Sequence, residues 1–205
     1  MQKCGQEKGF QAFTALIKAC IPTLVLLILW QLAFLSGKWS AYVLPGPGKV
    51  WSSFLTMLGN GTLFKHILVS FNRVLTGFSI SFLCAFCLGM LAALKKDLEV
   101  YYGPYVEFMR NVPPISLIAL LILWFGIGET SKIIIIVLAS FFPMFMNIRK
   151  GLLSCDKKLL EVGKTCGLSK TASFFKIRLF WALPDILVGM RIGLGYSWRA
   201  IIGAE

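Results

Sequence analysis

Few residues in this sequence have the types and spacing that chemistry requires, and none of the patterns they form is complete. His66 is the only histidine, and no carboxylate or cysteine stands close to it along the chain. Cys84 and Cys87 have the C-x-x-C spacing of a redox or metal site, but they lie within an apolar run with no second pair to complete four ligands. We therefore predict small packing residues at both cysteines and no metal site.

The sequence also lacks the motifs of common hydrolytic and nucleotide-binding sites. It contains no H-E-x-x-H, no G-x-S-x-G and no phosphate loop of the form G-x-x-x-x-G-K-[ST]. The stretch 126–132 combines glycines with Lys132, but the spacing is wrong for a phosphate loop, and a turn between helices is predicted there. We expect no catalytic residue and no cofactor in this chain, so an enzyme is not predicted.

The composition is that of a membrane protein. Hydrophobic residues make up 57% of the 205 residues and charged residues only 15%, which excludes a soluble globular domain. The net charge of +12 is not arranged as a basic stripe with interleaved aromatics, so nucleic acid is not an expected partner. Basic loops beside a lipid bilayer account for this charge better.

Long uncharged runs predict an all-α integral membrane protein with about five transmembrane helices. Pro143 is expected to kink the fourth span, since it lacks a backbone donor. The fifth span is the weakest, because Arg191 and Arg199 interrupt it. The predicted spans are 19–37, 74–94, 111–128, 133–148 and 186–202, within a membrane domain 19–205 that follows a cytoplasmic N-terminus 1–18.

The distribution of basic residues predicts a cytoplasmic N-terminus, because cytoplasmic loops carry the excess of Lys and Arg. With this orientation most of the 21 basic residues fall inside, and Lys38, Lys49, Lys65 and Lys132 lie outside. The outer segment 36–69 would hold a tight turn at 44–48 and a short interfacial helix over 50–58.

The inner loop 149–183 is too organised for a linker. Asp156 is a plausible first-turn acid for a helix that stops at Gly167, a residue suited to the left-handed position after a helix. Ser169 can cap the next helix, which runs from Lys170 to Arg178. Such a basic amphipathic element either lies on anionic lipid or docks into a groove on a cytoplasmic protein.

The stretch 161–167, followed by Ile177 and Leu179 at the family spacing, resembles the cytoplasmic signature loop of ABC-importer permeases. Val162 and Gly163 stand where the family has two alanines, and Phe180 stands where it has a proline. Further matches occur in the family order, and together they resemble the nitrate, sulfonate, taurine and bicarbonate branch over about residues 44–205. They are 44–47, 70–78, 113–114, 123–129, 141–143, and Trp198 with Ala204 and Glu205.

The resemblance implies a multi-pass permease subunit in a bacterial plasma (inner) membrane that passes a small, anionic or zwitterionic solute inward. Its implied partners are a cytoplasmic ABC ATPase dimer, which binds ATP and Mg, an extracytoplasmic substrate-binding protein, and a second permease copy in a homodimer. ATP hydrolysis would be coupled through 156–178. The resemblance places this coupling role on Glu161, Val162, Gly163, Gly167 and Leu168.

Relatives in this family continue past the Ala-Glu pair, usually through another span, whereas this sequence ends at Glu205. We therefore expect the family's last span to be missing. An ATP-independent secondary transporter or channel is the alternative interpretation, but it leaves the organised inner loop unexplained.

A translocation path requires polar groups that face the interior of the helix bundle. Gly189, Gly193 and Ser197 recur every four residues and predict close contact of the fifth span with another helix. The sequence does not select one substrate among sulfonate, nitrate, taurine and a thiamine-precursor pyrimidine. The predicted path residues are Asn111, Asn147, Trp198, Arg199 and Glu205.

Overall fold

The computed structural model describes residue 18, residues 21–95, residue 97 and residues 99–205. Throughout these residues the regular structure is helical and no strand occurs, so the predicted all-α class is confirmed. Lys3, Lys8 and Lys96, which support the predicted orientation, lie outside the described residues. Residues 1–17 of the predicted cytoplasmic segment 1–18 also lie outside the described residues, as do residues 19 and 20, the first two of the predicted first span.

Nine α-helices follow one another in the described part of the chain, and they belong to two compact units, one ending at His66 and the other beginning at Ile67. A 3₁₀ turn at Pro114–Leu117 precedes α5, and a π-helical turn at Phe174–Arg178 joins α8 to α9. The helices are α1 (Ile21–Leu35), α2 (Pro47–Gly59), α3 (Thr62–Leu94), α4 (Glu99–Asn111), α5 (Ile118–Phe125), α6 (Glu129–Leu153), α7 (Lys157–Thr165), α8 (Lys170–Ser173) and α9 (Leu179–Ala204).

The first unit joins α1 to α2 through the predicted turn. The indole Nε1 of Trp30 donates a hydrogen bond of 3.0 Å to the carbonyl oxygen of Pro45. Gly46 lies against the ring of Phe34, where an added Cβ would come within 2.9 Å of a ring carbon. Pro47 then opens α2 at the first helical position, where a missing N–H costs nothing. The short helix predicted over 50–58 is thus observed as α2.

Two described helices, α3 and α6, are long and apolar enough to cross a membrane. A third span results if α4 and the segment 114–125, which are bent by 87° relative to each other, cross together. The predicted span 111–128 is observed as a helical segment that begins at Pro114, and it meets the length and composition of a membrane span only together with α4. Pro113 and Pro114, which lack N–H donors, separate this segment from α4.

Of the other predicted spans, 186–202 lies within α9, and the described part of 19–37 contains α1. In the described residues neither α1 nor α9 is both long and apolar enough to count as a membrane span, and the cause differs between the two helices. Helix α1 is short over its described length, ending at Leu35, whereas α9 is long but contains Arg191 and Arg199.

Helix α9 packs on α6 with almost no space between the two backbones. A Cβ added to Gly151 would lie 2.7 Å from the Cβ of Asp185, and one added to Gly189 would lie 2.9 Å from the Cβ of Asn147. Gly193 and Ser197 are buried on the same face, so the predicted small-residue contact is confirmed. Close approach of this kind is how membrane helices obtain dispersion energy without a hydrophobic driving force.

Helix α3 packs on α6 through a second row of small residues. Gly77 and Gly89 lie against Ile136 and Ile148, with Ser81, Ala85 and Ala92 buried between and beyond them. Cys84 and Cys87 are on the outward face instead and are exposed. The prediction that they are packing residues is wrong, because the small residues through which α3 packs lie on its opposite face.

A comparison of two helical glycines tests the close packing of α6 and α9. Gly151→Ala should lower the thermal unfolding temperature, because the new methyl group meets the Cβ atoms of Asp185 and Ala182 and the backbone oxygen of Ala182, none of which can rotate away. The cost of such overpacking is about 1–3 kcal/mol.

The control is Gly195→Ala, on the open side of α9, where nothing lies within 4 Å of an added Cβ. This variant should be neutral or more stable, since alanine is a better helix former than glycine. Equal stability of the two variants in detergent would contradict the described contact.

Candidate functional site

Helix α7 is terminated at both ends by local hydrogen bonds. The carboxylate of Asp156 accepts a bond of 2.9 Å from the backbone N–H of Lys158. At the other end, the N–H of Gly167 donates to the carbonyl oxygen of Lys164 and that of Leu168 to Gly163, both at 3.0 Å. Gly167 adopts φ of 76°, so this end is a Schellman motif that favours glycine. The predicted stop at Gly167 is confirmed, whereas Asp156, predicted as an acid of the first turn, precedes the helix and caps it.

The five residues assigned to coupling by resemblance fall into two groups. Glu161, Val162 and Gly167 are exposed, and Glu161 forms no hydrogen bond or ion pair with any described residue. Gly163 is buried, with an added Cβ only 2.5 Å from Cδ1 of Ile177, and Leu168 is half-buried beside it. The first group is available to another protein, whereas the second holds α7 against the chain.

The segment after α7 anchors it to the helix bundle. The hydroxyl of Ser169 accepts a hydrogen bond from the N–H of Ala172, as predicted for a helix cap. Phe174 is buried in the same cluster as Leu152 of α6, and the guanidinium of Arg178 lies 5.9 Å from the centre of its ring. From Lys170 to Ala204 the chain is helical without interruption.

Cys155, between α6 and α7, is buried at the base of this anchor. Burial raises the pKa of its thiol, the neighbouring Asp156 raises it further, and Arg178 acts in the opposite direction. At neutral pH the thiol is therefore protonated and unreactive. Cys166, at the end of α7, is exposed.

A cavity of about 300 Å³ lies beside α6 and α9 and contains one of the predicted path residues. Asn147 lines it and donates a hydrogen bond of 2.8 Å from Nδ2 to the carbonyl oxygen of Pro143. The other polar contributions come from Arg110 and Tyr196, and the remainder of the lining is mostly apolar. Such a mixture suits a small solute with one charged or polar end.

The other predicted path residues lie outside the lining of this cavity. Asn111 donates to the carbonyl oxygen of Glu107, and Arg199 lies 5.6 Å from the ring centre of Tyr196. Trp198 meets the ring of Phe71 edge to face. Glu205 takes part in an ion cluster. Of the five residues, the structure thus brings only Asn147 into the cavity.

That ion cluster joins three helices at the end of α6 opposite to α7. Arg73 of α3 donates to both carboxylate oxygens of Glu129, at the start of α6. It also donates to Glu205 Oε1, which accepts from Ser70 as well, each at 2.7 Å. Only 16% of the Arg73 side chain is exposed. Sequence reasoning missed this cluster, although an arginine within an apolar run and a carboxylate after a turn are signals for it.

No described residues form a group of three or more His, Cys, Asp or Glu side chains able to hold a metal ion. A second ion pair, between Arg149 and Glu99, joins α6 to α4, with the Arg149 guanidinium also 5.9 Å from the Tyr102 ring centre. Most of the ion pairs among the described residues thus connect different helices.

Residues 85–205 match the family model described as binding-protein-dependent transport system inner membrane component. The chain is 35% identical over 189 residues to the putative aliphatic sulfonates transport permease protein SsuC of Bacillus subtilis, covering 92% of this chain and 68% of that protein. It is 33% identical to the taurine transport system permease protein TauC of Escherichia coli, over 88% of this chain and 68% of the other. The bicarbonate transport system permease protein CmpB of Synechococcus elongatus is 29% identical, over 98% and 75% respectively.

Because Cys155 is buried and Cys166 is exposed, the two thiols should react with a thiol reagent at different rates. In proteins that retain only Cys166 or only Cys155, with serine at the other cysteines, a water-soluble maleimide should modify Cys166 at least about tenfold faster at pH 7. Cys155 should react only as the pH rises or the protein unfolds, because its pKa is raised by burial. Similar rates in folded protein would show that α7 is not anchored as described.

The ion cluster predicts strong coupling between Arg73 and Glu129. Arg73→Gln removes the partner of two carboxylates, so it should lower the thermal unfolding temperature, and adding Glu129→Gln should cause little further loss. The matched control is Arg110 with Glu107, neighbours on one helix turn with about half of each side chain exposed. Their glutamine variants should have small, additive effects. Additive losses for the first pair would contradict the cluster.

Proposed function

This chain belongs to the family of binding-protein-dependent transport system inner membrane components, and on that premise we propose that it is the transmembrane permease subunit of an ABC importer. It resides as a multi-pass protein in the plasma (inner) membrane of a bacterium and passes a small solute inward. The resemblance noted in its sequence motifs is confirmed by the relatives, which are named as sulfonate, taurine and bicarbonate permeases.

The observation that carries the coupling proposal is the exposed face of α7 on a firmly held helix. Leu159, Val162 and Cys166 follow at helical spacing and are all exposed, with Glu161 beside them. An exposed apolar stripe on a capped helix is suited to a groove on a partner protein. We assign that groove to a cytoplasmic ABC ATPase dimer, which supplies ATP and Mg binding, since the sequence has no phosphate loop.

Movement of α7 would reach the membrane-facing helices through two routes. Gly163 packs against Ile177 of the π-helical turn, which continues directly into α9. Cys155 and Leu152, both buried, connect the start of α7 to α6. When the ATPase pair closes on ATP, α7 moves with it and shifts α6 against α9, which changes access to the cavity beside them.

The solute is proposed to be small and anionic or zwitterionic. Sulfonate, taurine and bicarbonate, the solutes in the names of the relatives, each carry a negatively charged oxygen group. Arg110, Asn147 and Tyr196 supply donors in the cavity beside an apolar wall. An extracytoplasmic binding protein delivers the solute, and a second permease copy completes the path as a homodimer.

Retention of the ATPase during purification tests the role of α7. Val162→Asp places a charge in the middle of the exposed stripe and should abolish co-purification of the ATPase in detergent. Val162 is 59% exposed, so the substitution should not unfold the chain. The control is Ile127→Asp, a β-branched residue that is 91% exposed at the opposite end of α6. This variant should retain the ATPase as the wild type does.

Two results would contradict the proposal. If Val162→Asp retains the ATPase, coupling does not pass through this face of α7. If the folded wild-type chain retains no ATPase but still carries solute across vesicles, an ATP-independent transporter or channel is indicated instead.

A further inference from the structure

A basic cavity of about 350 Å³ lies between the C-terminal end of α3 and the segment α7 to α9. Its charged lining residues are Lys164, Lys170 and Arg178, and the Ser173 hydroxyl is a further donor. None of the described residues that line it is acidic. Three cations from three successive parts of the chain thus converge on one space, which is the chemistry of an anion site.

Arg178 adds a second indication that this cavity accepts an anion. Its Nε atom is buried and has no hydrogen-bond partner among the described residues. Buried donors of this kind are rare, because an unmade hydrogen bond to a charged group is costly. The Phe174 ring holds the guanidinium in place, leaving donors of the same group for a ligand.

A second, apolar cavity of about 430 Å³ continues from the basic one. The two share Leu94, Lys170 and Phe174, and the apolar cavity extends along Cys87, Met90 and Leu91 of α3 to Phe175. Helix α3 is one of the two described helices able to cross a membrane, and Leu91 is 53% exposed on it. The apolar cavity therefore opens on the part of the molecule that faces lipid chains.

We propose that these joined cavities bind one anionic phospholipid, with its phosphate among Lys164, Lys170 and Arg178 and an acyl chain along Met90 and Leu91. A free anion would use only the basic half, and the apolar half would remain unexplained. Basic pockets beside membrane helices are a recurring form of lipid headgroup site.

The site lies on the face of α7 that is turned away from the exposed stripe. Leu160, Lys164 and Leu168 line the basic cavity, whereas Val162 points to the other side of the helix. The lipid and a protein partner can therefore occupy α7 together. A bound lipid would hold α7 against α3 and so set the position from which α7 moves.

The predicted binding of the lipid phosphate in the basic cavity can be tested by native mass spectrometry. The full chain in detergent is titrated with phosphatidylglycerol or with phosphatidylcholine. Lys164→Gln with Lys170→Gln should weaken phosphatidylglycerol binding about tenfold or more and leave phosphatidylcholine binding unchanged. The control is Lys157→Gln with Lys158→Gln, which removes the same charge from exposed positions of α7 outside the cavity. This pair should bind phosphatidylglycerol as the wild type does.

A second pair of variants tests the acyl-chain half without changing any charge. Leu91→Trp should fill the apolar cavity and weaken phosphatidylglycerol binding severalfold. Leu83→Trp, on the exposed side of the same helix but outside the cavity, should have no effect. Inorganic phosphate at millimolar concentration should fail to displace the lipid.

Three outcomes would overturn the proposal. Equal weakening by both lysine pairs would mean that general surface charge attracts the lipid. Displacement by inorganic phosphate, together with no effect of Leu91→Trp, would mean a site for a free anion. Equal binding of the two lipids by the wild type would mean no headgroup selection.

Discussion

The contact between the backbones of α6 and α9 is the constraint on which the rest of this bundle depends. Because Gly151, Gly189 and Gly193 carry no side chain, the two helices approach until Asp185, Asn147 and Met144 fill the space that a Cβ would need. In a membrane, where apolar surface gains little by leaving lipid, such contact is a main source of helix association. It also makes α6 the helix against which α3, α9 and the cavity lined by Asn147 are placed.

The contacts that hold the two ends of α6 differ in kind. At one end Arg73 connects α3 to Glu129 and Glu205 through charge, so separation of these helices would leave the largely buried arginine without its two partners. At the other end α7 is held by a cap, a buried glycine and aromatic packing. The bundle is thus held by close helix packing in its middle and by ionic or aromatic contacts at its ends.

Local sequence signals predicted local structure well here, and long-range pairing poorly. Gly167 and Ser169 act within a few residues of themselves, so the local sequence alone indicated these two caps, and it placed Asp156 one step away, in the first turn of the helix that it caps. Arg73 and Glu205 are 132 positions apart, and no periodicity relates them. Small residues of α3 suited to close packing, among them Gly77, Ala85 and Gly89, do lie on its buried face, whereas Cys84 and Cys87 lie on the exposed one. The coupling role proposed for α7 depends on a partner protein, and within this sequence only the resemblance of 161–167 to a family signature indicated it.

The π-helical turn at Phe174–Arg178 has a consequence for how this region can vary in length. Such a turn contains one residue more than an α-helical turn of the same height. If a chain lacked one residue here, this turn would be an ordinary α-helical turn, and α9 would still begin with the same side chains facing the same direction. Related chains can therefore differ by a single insertion or deletion between Gly167 and α9, while the faces that α7 and α9 present to their neighbours are preserved.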